Sequence, residues 1–246
     1  MTTVLAYLCP AMKGPKAKNI EMMFDSIAGD YDRLNHLFSL GTDKRWRKVA
    51  LKKVIDRTAA QNILDAACGT GDFSIAIARV ANPLTKVQGA DLSENMLSVM
   101  REKVKRAGLQ DRISAIKANC EALPFEDDTY DVVTIAFGIR NFENREVALQ
   151  EFRRVLKPGG KLLVLELSVP LNRFLRRVYN VYFTRVMPWL GGIISGEKAA
   201  YRYLPASVIN FPAPAEWTAT MTSCGYTSVT HNPFTFGLCR MYTGIK

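Results

Sequence analysis

Ile63-Leu64-Asp65-Ala66-Ala67-Cys68-Gly69-Thr70-Gly71-Asp72 is the stretch on which the fold turns. The apolar run at its start predicts a strand over Asn62–Ala67, its glycines a tight turn, and Phe73–Val80 a helix. In a doubly wound α/β sheet the first such unit cradles a ligand. Glycine lets the backbone come close, and the helix N-terminus is electropositive. A dinucleotide site would carry Gly-x-Gly-x-x-Gly. Here the third glycine is absent and Asp65 stands at the end of the strand. A carboxylate there repels a pyrophosphate and suits a cationic amino group.

Outward from this unit, strands and helices alternate. Lys86–Asp91 is a second strand, followed by a helix that Ser93 caps. Met96, Leu97, Met100, Val104 and Ala107 share one face of that helix, and Gly108 ends it. Ile113–Lys117 and Tyr130–Phe137 are the third and fourth strands. Asn144 caps a helix with Ala148, Leu149, Phe152, Val155 and Leu156 inward, which stops at a turn, Lys157-Pro158-Gly159-Gly160. Lys161–Leu167 is a fifth strand, Glu216–Ser223 a helix, and Thr227–His231 and Cys239–Thr243 are closing strands. The pattern predicts an α/β, doubly wound, Rossmann-like sheet, mostly parallel with the last strand antiparallel. Residues 1–18 are expected to be a flexible N-terminal segment and 19–58 a helical cap. Residues 59–246 then form the main domain, interrupted by a helical insertion at 171–210.

Composition agrees with a soluble globular protein: of 246 residues, 48% are apolar and 23% charged. Apolar runs such as Val132–Ile139 fall far short of the ~20 residues of a membrane span. The basic residues Lys13, Lys16 and Lys18 follow the mildly apolar start instead of preceding it, so no secretory signal is expected and a cytoplasmic location is. The five cysteines form no Cys-x-x-Cys pair and there are only two histidines, so no metal site is expected. The net charge of +10 is uneven: residues 1–60 carry +5, 61–172 carry −1 and 173–246 carry +6. Basic flanks suit nucleic acid, an anionic membrane or an anionic substrate.

Two further elements refine the ligand. Asp91 ends the second strand, where an acid can accept from both ribose hydroxyls, and Asn119-Cys120 follows the third, placed for an adenine edge. With Asp65, Gly69, Thr70 and Gly71 they form the pattern of an S-adenosylmethionine (SAM) site, for a ligand with an ammonium, a sulfonium and no phosphate.

Longer motifs point to a family. Phe24-Asp25-Ser26-Ile27-Ala28-Gly29-Asp30-Tyr31-Asp32-Arg33-Leu34-Asn35, Asn119–Phe125 and Thr134–Asn141 resemble the ubiquinone/menaquinone biosynthesis C-methyltransferases, demethylmenaquinone methyltransferase included. So does Tyr201-Arg202-Tyr203-Leu204 with Ser207, whereas Arg154–Glu166 is common to many class I methyltransferases. The resemblance runs from about residue 20 to the C-terminus. It implies methylation of a ring carbon of a polyprenylated quinol, demethylmenaquinol first and a 2-polyprenyl-6-methoxybenzoquinol second. Thr70, Asp91, Asn119 and Cys120 would hold SAM, with Tyr31 and Asp32 closing over it. Cys68 stands where many relatives have glycine, and Ala136 where some have serine.

A ring carbon becomes nucleophilic when a neighbouring hydroxyl loses its proton, and a phenol ionises near pH ~10 by analogy with tyrosine. Arg140, after the fourth strand, is expected on the rim as oxyanion stabiliser or as the group orienting a basic water, since it stays protonated. Asn141 would position it or the cofactor, and Tyr201 and Arg202 would touch the substrate. His36 is a candidate base, against the commoner structural role of a histidine in a helical flank.

Along Asn172–Leu190 an arginine face (Arg173, Arg176, Arg177) opposes an apolar, aromatic one (Phe174, Leu175, Val178, Val181, Tyr182). Such a helix either lies in the headgroup region of an anionic membrane or folds down as a lid. Expected partners are therefore the quinol, peripherally a membrane, and a second copy of the chain as homodimer, with no nucleic acid. An RNA or DNA methyltransferase, another small-molecule methyltransferase and a noncatalytic SAM-binding protein are the rival readings. The first lacks the Asn/Asp-Pro-Pro-Tyr and Pro-Cys arrangements after strand four.

Overall fold

A computed structural model describes residues 16–29, 32, 39, 41–182 and 198–246. Tyr31, His36 and most of the N-terminal 1–18 segment lie outside the described residues, as do the side chains of Tyr201 and Arg202.

The predicted alternation forms one seven-stranded sheet. Its strands are β1 (Asn62–Ala66), β2 (Lys86–Asp91), β3 (Ile113–Lys117), β4 (Tyr130–Ala136), β5 (Leu156–Leu167), β6 (Thr227–Phe234) and β7 (Cys239–Ile245). Their order is β3-β2-β1-β4-β5-β7-β6, with β7 antiparallel to both neighbours. The direction of winding reverses between β1 and β4, and it is outside the carboxyl ends of strands at such a switch that ligands bind.

The helices are α1 (Lys16–Ile27), α2 (Thr42–Val54), α3 (Asp72–Val80), α4 (Glu94–Arg106), α5 (Arg145–Val155), α6 (Arg173–Val181), α7 (Lys198–Ile209) and α8 (Pro214–Ser223). Ser93 caps α4 by accepting from Met96 N at 3.1 Å, and Asn144 caps α5 by accepting from Glu146 N and Val147 N, each at 3.1 Å. Period-two alternation sorts the strand side chains between two layers. Ile63, Val132 and Leu163 pack with α2, α3 and α4, whereas their neighbours Leu64, Val133 and Val164 pack with α5 and α8. Each fully buried aliphatic chain of this kind contributes ~1.5–3 kcal/mol.

Several boundaries shift by one to three residues, and the largest difference from expectation precedes the fifth strand. Lys157-Pro158-Gly159-Gly160 makes no turn between helix and strand: α5 ends at Val155 and β5 begins at Leu156. The ladder instead skips from Tyr130↔Leu156 to Val132↔Lys161. Proline offers no N–H to the ladder and Gly159 sits at φ +76°, so the segment bulges within the strand.

On the N-terminal side α1 docks against α4. The Asp25 carboxylate accepts from the Ser93 hydroxyl and, at 3.4 Å, from Asn95 N, and Lys117 pairs with Glu21 at 2.6 Å. Asp25 thereby supplies negative charge at a helix N-terminus, where it is favourable.

Candidate active site

Two lobes of one cleft open at the carboxyl ends of β1, β2 and β4. The larger encloses about 720 Å³, open solvent included, and is lined by Phe24 of α1 together with Gly69, Asp91, Asn119, Cys120 and Asn141. The smaller, about 360 Å³, is lined by Asp32, Arg47, Asp65, Thr70, Asp72 and Phe73. Ala67, Gly69 and Ala136 line both. The lobes thus meet where the glycine turn faces the end of β4.

The loops carry the backbone geometry the motif predicts. Gly71 has φ +81°, and a Cβ there would lie 2.5 Å from Met100 Cγ, so neither the dihedral nor the space admits a side chain. Gly138, after β4, faces Ala67 after β1, and a Cβ on it would stand 2.7 Å from that of Ala67. Cys68 is buried beneath the turn, its Sγ 3.4 Å from Met100 Sδ.

The two strand-end acids are held differently. Asp91 accepts from Gly69 N at 2.8 Å and from Ser93 N at 3.0 Å. A carboxylate offers about four acceptor positions, so backbone donors fix this one and leave capacity toward the larger lobe. Asp65 is buried, accepting from Thr134 Oγ1 at 3.0 Å and from Ser74 Oγ at 2.5 Å. Burial raises its pKa to about 6 despite those two hydroxyls; it also raises that of Asp91. A cation arriving beside either acid would favour the ionised form. Burial pushes the Cys120 thiol up to about 12, so it meets a ligand as a neutral group.

Beyond the third strand, Asn119 Oδ1 accepts from Glu121 N at 2.9 Å. The Glu121 carboxylate in turn accepts from Glu143 N at 2.8 Å and Asn144 N at 3.1 Å, joining the loops after β3 and β4. At the smaller lobe, Lys103 of α4 donates to Asp32 at 2.7 Å, to Thr70 Oγ1 at 3.3 Å and to Asp72, while Thr70 donates to Asp32. Arg47 adds a contact to Asp72 at 3.3 Å and lies over the Phe137 ring, 5.5 Å from its centre.

On the β4 side, Arg140 and Asn141 occupy a short 3₁₀ turn, Ile139–Asn141, and both are buried. Arg140, expected on the rim, has its guanidinium 2.7 Å from Glu166, which is fully buried at the end of β5. It also donates to Phe137 O and, through Nε at 3.3 Å, to Ser207 of α7. Glu166 accepts further from Arg140 N at 3.2 Å and Leu167 N at 2.8 Å. Asn141 Oδ1 accepts from the Tyr203 hydroxyl at 3.1 Å.

The sequence-predicted Asp65, Gly69, Thr70, Asp91, Asn119, Cys120 and Asn141 therefore converge on one cleft, with Gly71 forming its turn. Arg140 lines neither of these two lobes. Sequence reasoning gives no role to Glu166, Lys103 or Arg47. An acid inside Leu162-Leu163-Val164-Leu165-Glu166-Leu167 is a signal, since an ionisable group there needs a buried partner. Lys103 and Arg47 lie on polar helix faces and carry no such signal.

A switch-point cleft with two strand-end acids and a glycine turn without a pyrophosphate fingerprint, on a sheet closed by a reversed strand, defines a class I SAM-dependent methyltransferase. A SAM-dependent methyltransferase of Thermotoga maritima has the same fold, with TM-score 0.64 and 20% identity over 92% of this chain and 99% of that one. Residues 12–246 match the ubiE/COQ5 methyltransferase family, and the chain belongs to it. The ubiquinone/menaquinone biosynthesis C-methyltransferase UbiE of Geobacter sulfurreducens is 46% identical over 231 residues, 94% of this chain and 90% of the relative. The demethylmenaquinone methyltransferase of Thermus thermophilus is 47% identical over 222 residues, 90% of this chain and 99% of the relative.

Proposed function

We propose that this enzyme transfers a methyl group from SAM to a ring carbon of a polyprenylated quinol. Demethylmenaquinol is the principal acceptor and a 2-polyprenyl-6-methoxybenzoquinol the second. The observation that carries the reading is the junction of the two lobes. Groups suited to a ribose and adenine (Asp91, Asn119, Cys120) and groups suited to an ammonium (Asp65, Thr70) flank Ala67, Gly69 and Ala136, directly before Phe137 and Asn141. The names of the relatives supply the quinol.

Bound SAM supplies an electrophilic methyl group on a sulfonium. The chain's own residues bind and orient. Asp91 would accept from the ribose hydroxyls, Asn119 and Cys120 would flank the base, and Asp65 would favour the ammonium. The turn at Gly69–Gly71 would present backbone, and Tyr31 would close over the ligand from the N-terminal side. Because charge is dispersed as carbanion-like carbon meets sulfonium, a dry, preorganised cleft accelerates the step. The Glu166 partner makes Arg140 part of a neutral pair, so its part is to hold the β4 turn and polarise what Asn141 contacts. His36 is the candidate for the proton, and Tyr201 and Arg202 for contact with the acceptor.

A polyprenyl tail brings the enzyme to a membrane. Leu171, Phe174, Val181 and Phe236 are exposed, Phe236 at 80%, beside the exposed Arg173, Arg176 and Arg177. Ser168 Oγ donates to Gly237 O at 2.7 Å, and a Cβ on Gly237 would stand 3.7 Å from Pro170 Cα, so the tip of the last hairpin lies beside the chain leading into α6. Aromatic anchors ringed by arginine fit an anionic bilayer, as a peripheral contact.

The deciding assay is transfer of isotopic label from SAM to demethylmenaquinol and to the methoxybenzoquinol, offered separately with and without dithionite. Reductant-dependent label on the ring carbon is expected; a SAM-binding protein that labels neither acceptor overturns the reading. Sedimentation with anionic liposomes at low salt is expected, and protein left in the supernatant removes the membrane contact.

A further inference from the structure

Asn141 lines the larger lobe, and its Oδ1 is taken by the Tyr203 hydroxyl. The other arm of the carboxamide is its nitrogen. Among the described residues no hydrogen-bond partner takes that nitrogen's two N–H groups, and the atom is not sealed from its surroundings. One turn further along α7, Ser207 Oγ meets Arg140 Nε at 3.3 Å. Positions four apart share one face of a helix. A single face of α7 thus grips two adjacent residues of the turn after β4. Neither Tyr203 nor Ser207 lines the two lobes described. They act on groups that do, or on the residue beside one.

We propose that Tyr203 and Ser207 are positioning residues for methyl transfer: from α7 they fix the Asn141 carboxamide and the Arg140 guanidinium, so that the Asn141 N–H groups face the cleft as donors to the phenolate oxygen of the acceptor. The inference rests on the quinol reading above. An anionic oxygen next to the reacting carbon is stabilised by donors placed in advance. A carboxamide turned by 180° would offer that anion its own oxygen instead. The Tyr203 hydroxyl, kept protonated by burial, donates to Oδ1 and so holds the carboxamide oxygen on the α7 side. Ser207 steadies the neighbouring residue, so that the turn does not rotate as a unit. The insertion that carries α7 then becomes part of the acceptor site, although neither Tyr203 nor Ser207 lines the two lobes.

Tyr203→Phe removes one hydroxyl and keeps the ring. Loss of one orienting hydrogen bond is expected to lower kcat by about tenfold, with Ser207→Ala nearer about threefold. For Tyr203→Phe, SAM affinity by calorimetry should stay within about twofold of wild type, and the acidic limb of the kcat–pH profile should move to higher pH, because the phenolate is less stabilised. Independently of turnover, the Asn141 side-chain amide resonances in an NMR spectrum should shift in Tyr203→Phe. An unchanged kcat, or a loss of kcat that follows a matching loss of SAM affinity and thermal stability, overturns the proposal. Wild-type enzyme inactive on both quinols overturns instead the reading beneath it, and unshifted Asn141 resonances would then overturn the positioning role as well.

Discussion

The cleft has two halves built on opposite plans. On the cofactor half, Asp91 is held by the backbone of Gly69 and Ser93, and Asp65 by hydroxyls of the neighbouring strand and helix, Thr134 and Ser74. The sheet and its first two crossovers hold both acids. On the half proposed for the acceptor, Arg140 and Asn141 are held by Glu166 from β5 and by Ser207 and Tyr203 from the insertion. That half draws on a segment outside the αβ repeat as well as on β5. Damage to the insertion should therefore spare cofactor binding, while damage to the strand ends should not be repaired by the insertion.

The harshest way to break this division is Glu166→Ala. It leaves a buried guanidinium without its carboxylate, a change that destabilises by about 3–5 kcal/mol. Urea unfolding should register that loss, and acceptor methylation should disappear. At low temperature, where the variant stays folded, SAM affinity by calorimetry should change far less than turnover. Equal loss of both would show that the two halves are not separately built.

Next in size is Asp91→Ala, aimed at the other half. Two hydrogen bonds to a charged group are removed, each worth about 1.5–3 kcal/mol, so the Kd for SAM should rise about hundredfold or more. Turnover at saturating SAM should recover much of the wild-type value, because the acceptor half is untouched. A kcat that stays low at saturation would mean that Asp91 also organises the β4 turn.

The same division governs what can be read from sequence. The cofactor half is legible because its chemistry is local: Asp65, Gly69 and Gly71 lie within seven residues, and Ser93 follows Asp91 by two. The strands are legible for the same reason, each being a short apolar run between turn residues. The acceptor half is made of contacts across long separations. Arg140 lies 26 residues from Glu166 and 67 from Ser207, and Asn141 lies 62 from Tyr203. No periodicity encodes such pairs, and an arginine read alone after a strand looks like an open cation. The Lys157–Gly160 bulge escapes for a related reason, since proline and glycine signal a break in a ladder without saying whether the chain turns or bulges.

The third test sharpens the contrast between the two acids. With its pKa raised to about 6 by burial, Asp65 binds a proton in the folded chain that it releases when unfolded, near its ordinary value of 3.8. Its stabilising contribution is complete below that lower value and is lost as pH rises through about 6. Asp65→Asn should remove this dependence, so that its stability relative to wild type improves from pH 4 to pH 7 in paired urea titrations. An ammonium beside Asp65 demands the ionised form. A group of pKa about 6 goes from about one-tenth to nine-tenths ionised between pH 5 and pH 7, so SAM should bind about tenfold more tightly at the upper end. The raised Asp91 adds a trend of the same sign, which Asp65→Asn leaves in place. The part of the slope that vanishes in the variant therefore belongs to Asp65. A slope identical in both proteins would place the ammonium elsewhere.

The smallest effect tests whether the sheet itself tunes that acid. Thr134 lies opposite Asp65 in the β1–β4 register and donates to it at 3.0 Å. Valine at this position keeps the branched shape and removes the donor. Losing one hydrogen bond to the ionised form, roughly 1 kcal/mol, should shift the Asp65 midpoint to still higher pH and weaken SAM binding by about fivefold at pH 5, below both midpoints, and by less than about twofold at pH 7. The direction follows from which form the hydroxyl favours: its bond lowers the pKa against the burial that raises it. At pH 8 and above, where Asp65 is ionised with or without Thr134, the midpoint shift should no longer contribute, and the affinities should converge. Thr134→Val with full affinity at pH 5 would leave Ser74 as sufficient support for Asp65. A loss that persists unchanged to pH 9 would assign the defect to packing between β1 and β4, since a shift in protonation cannot survive once the group is fully ionised in both proteins.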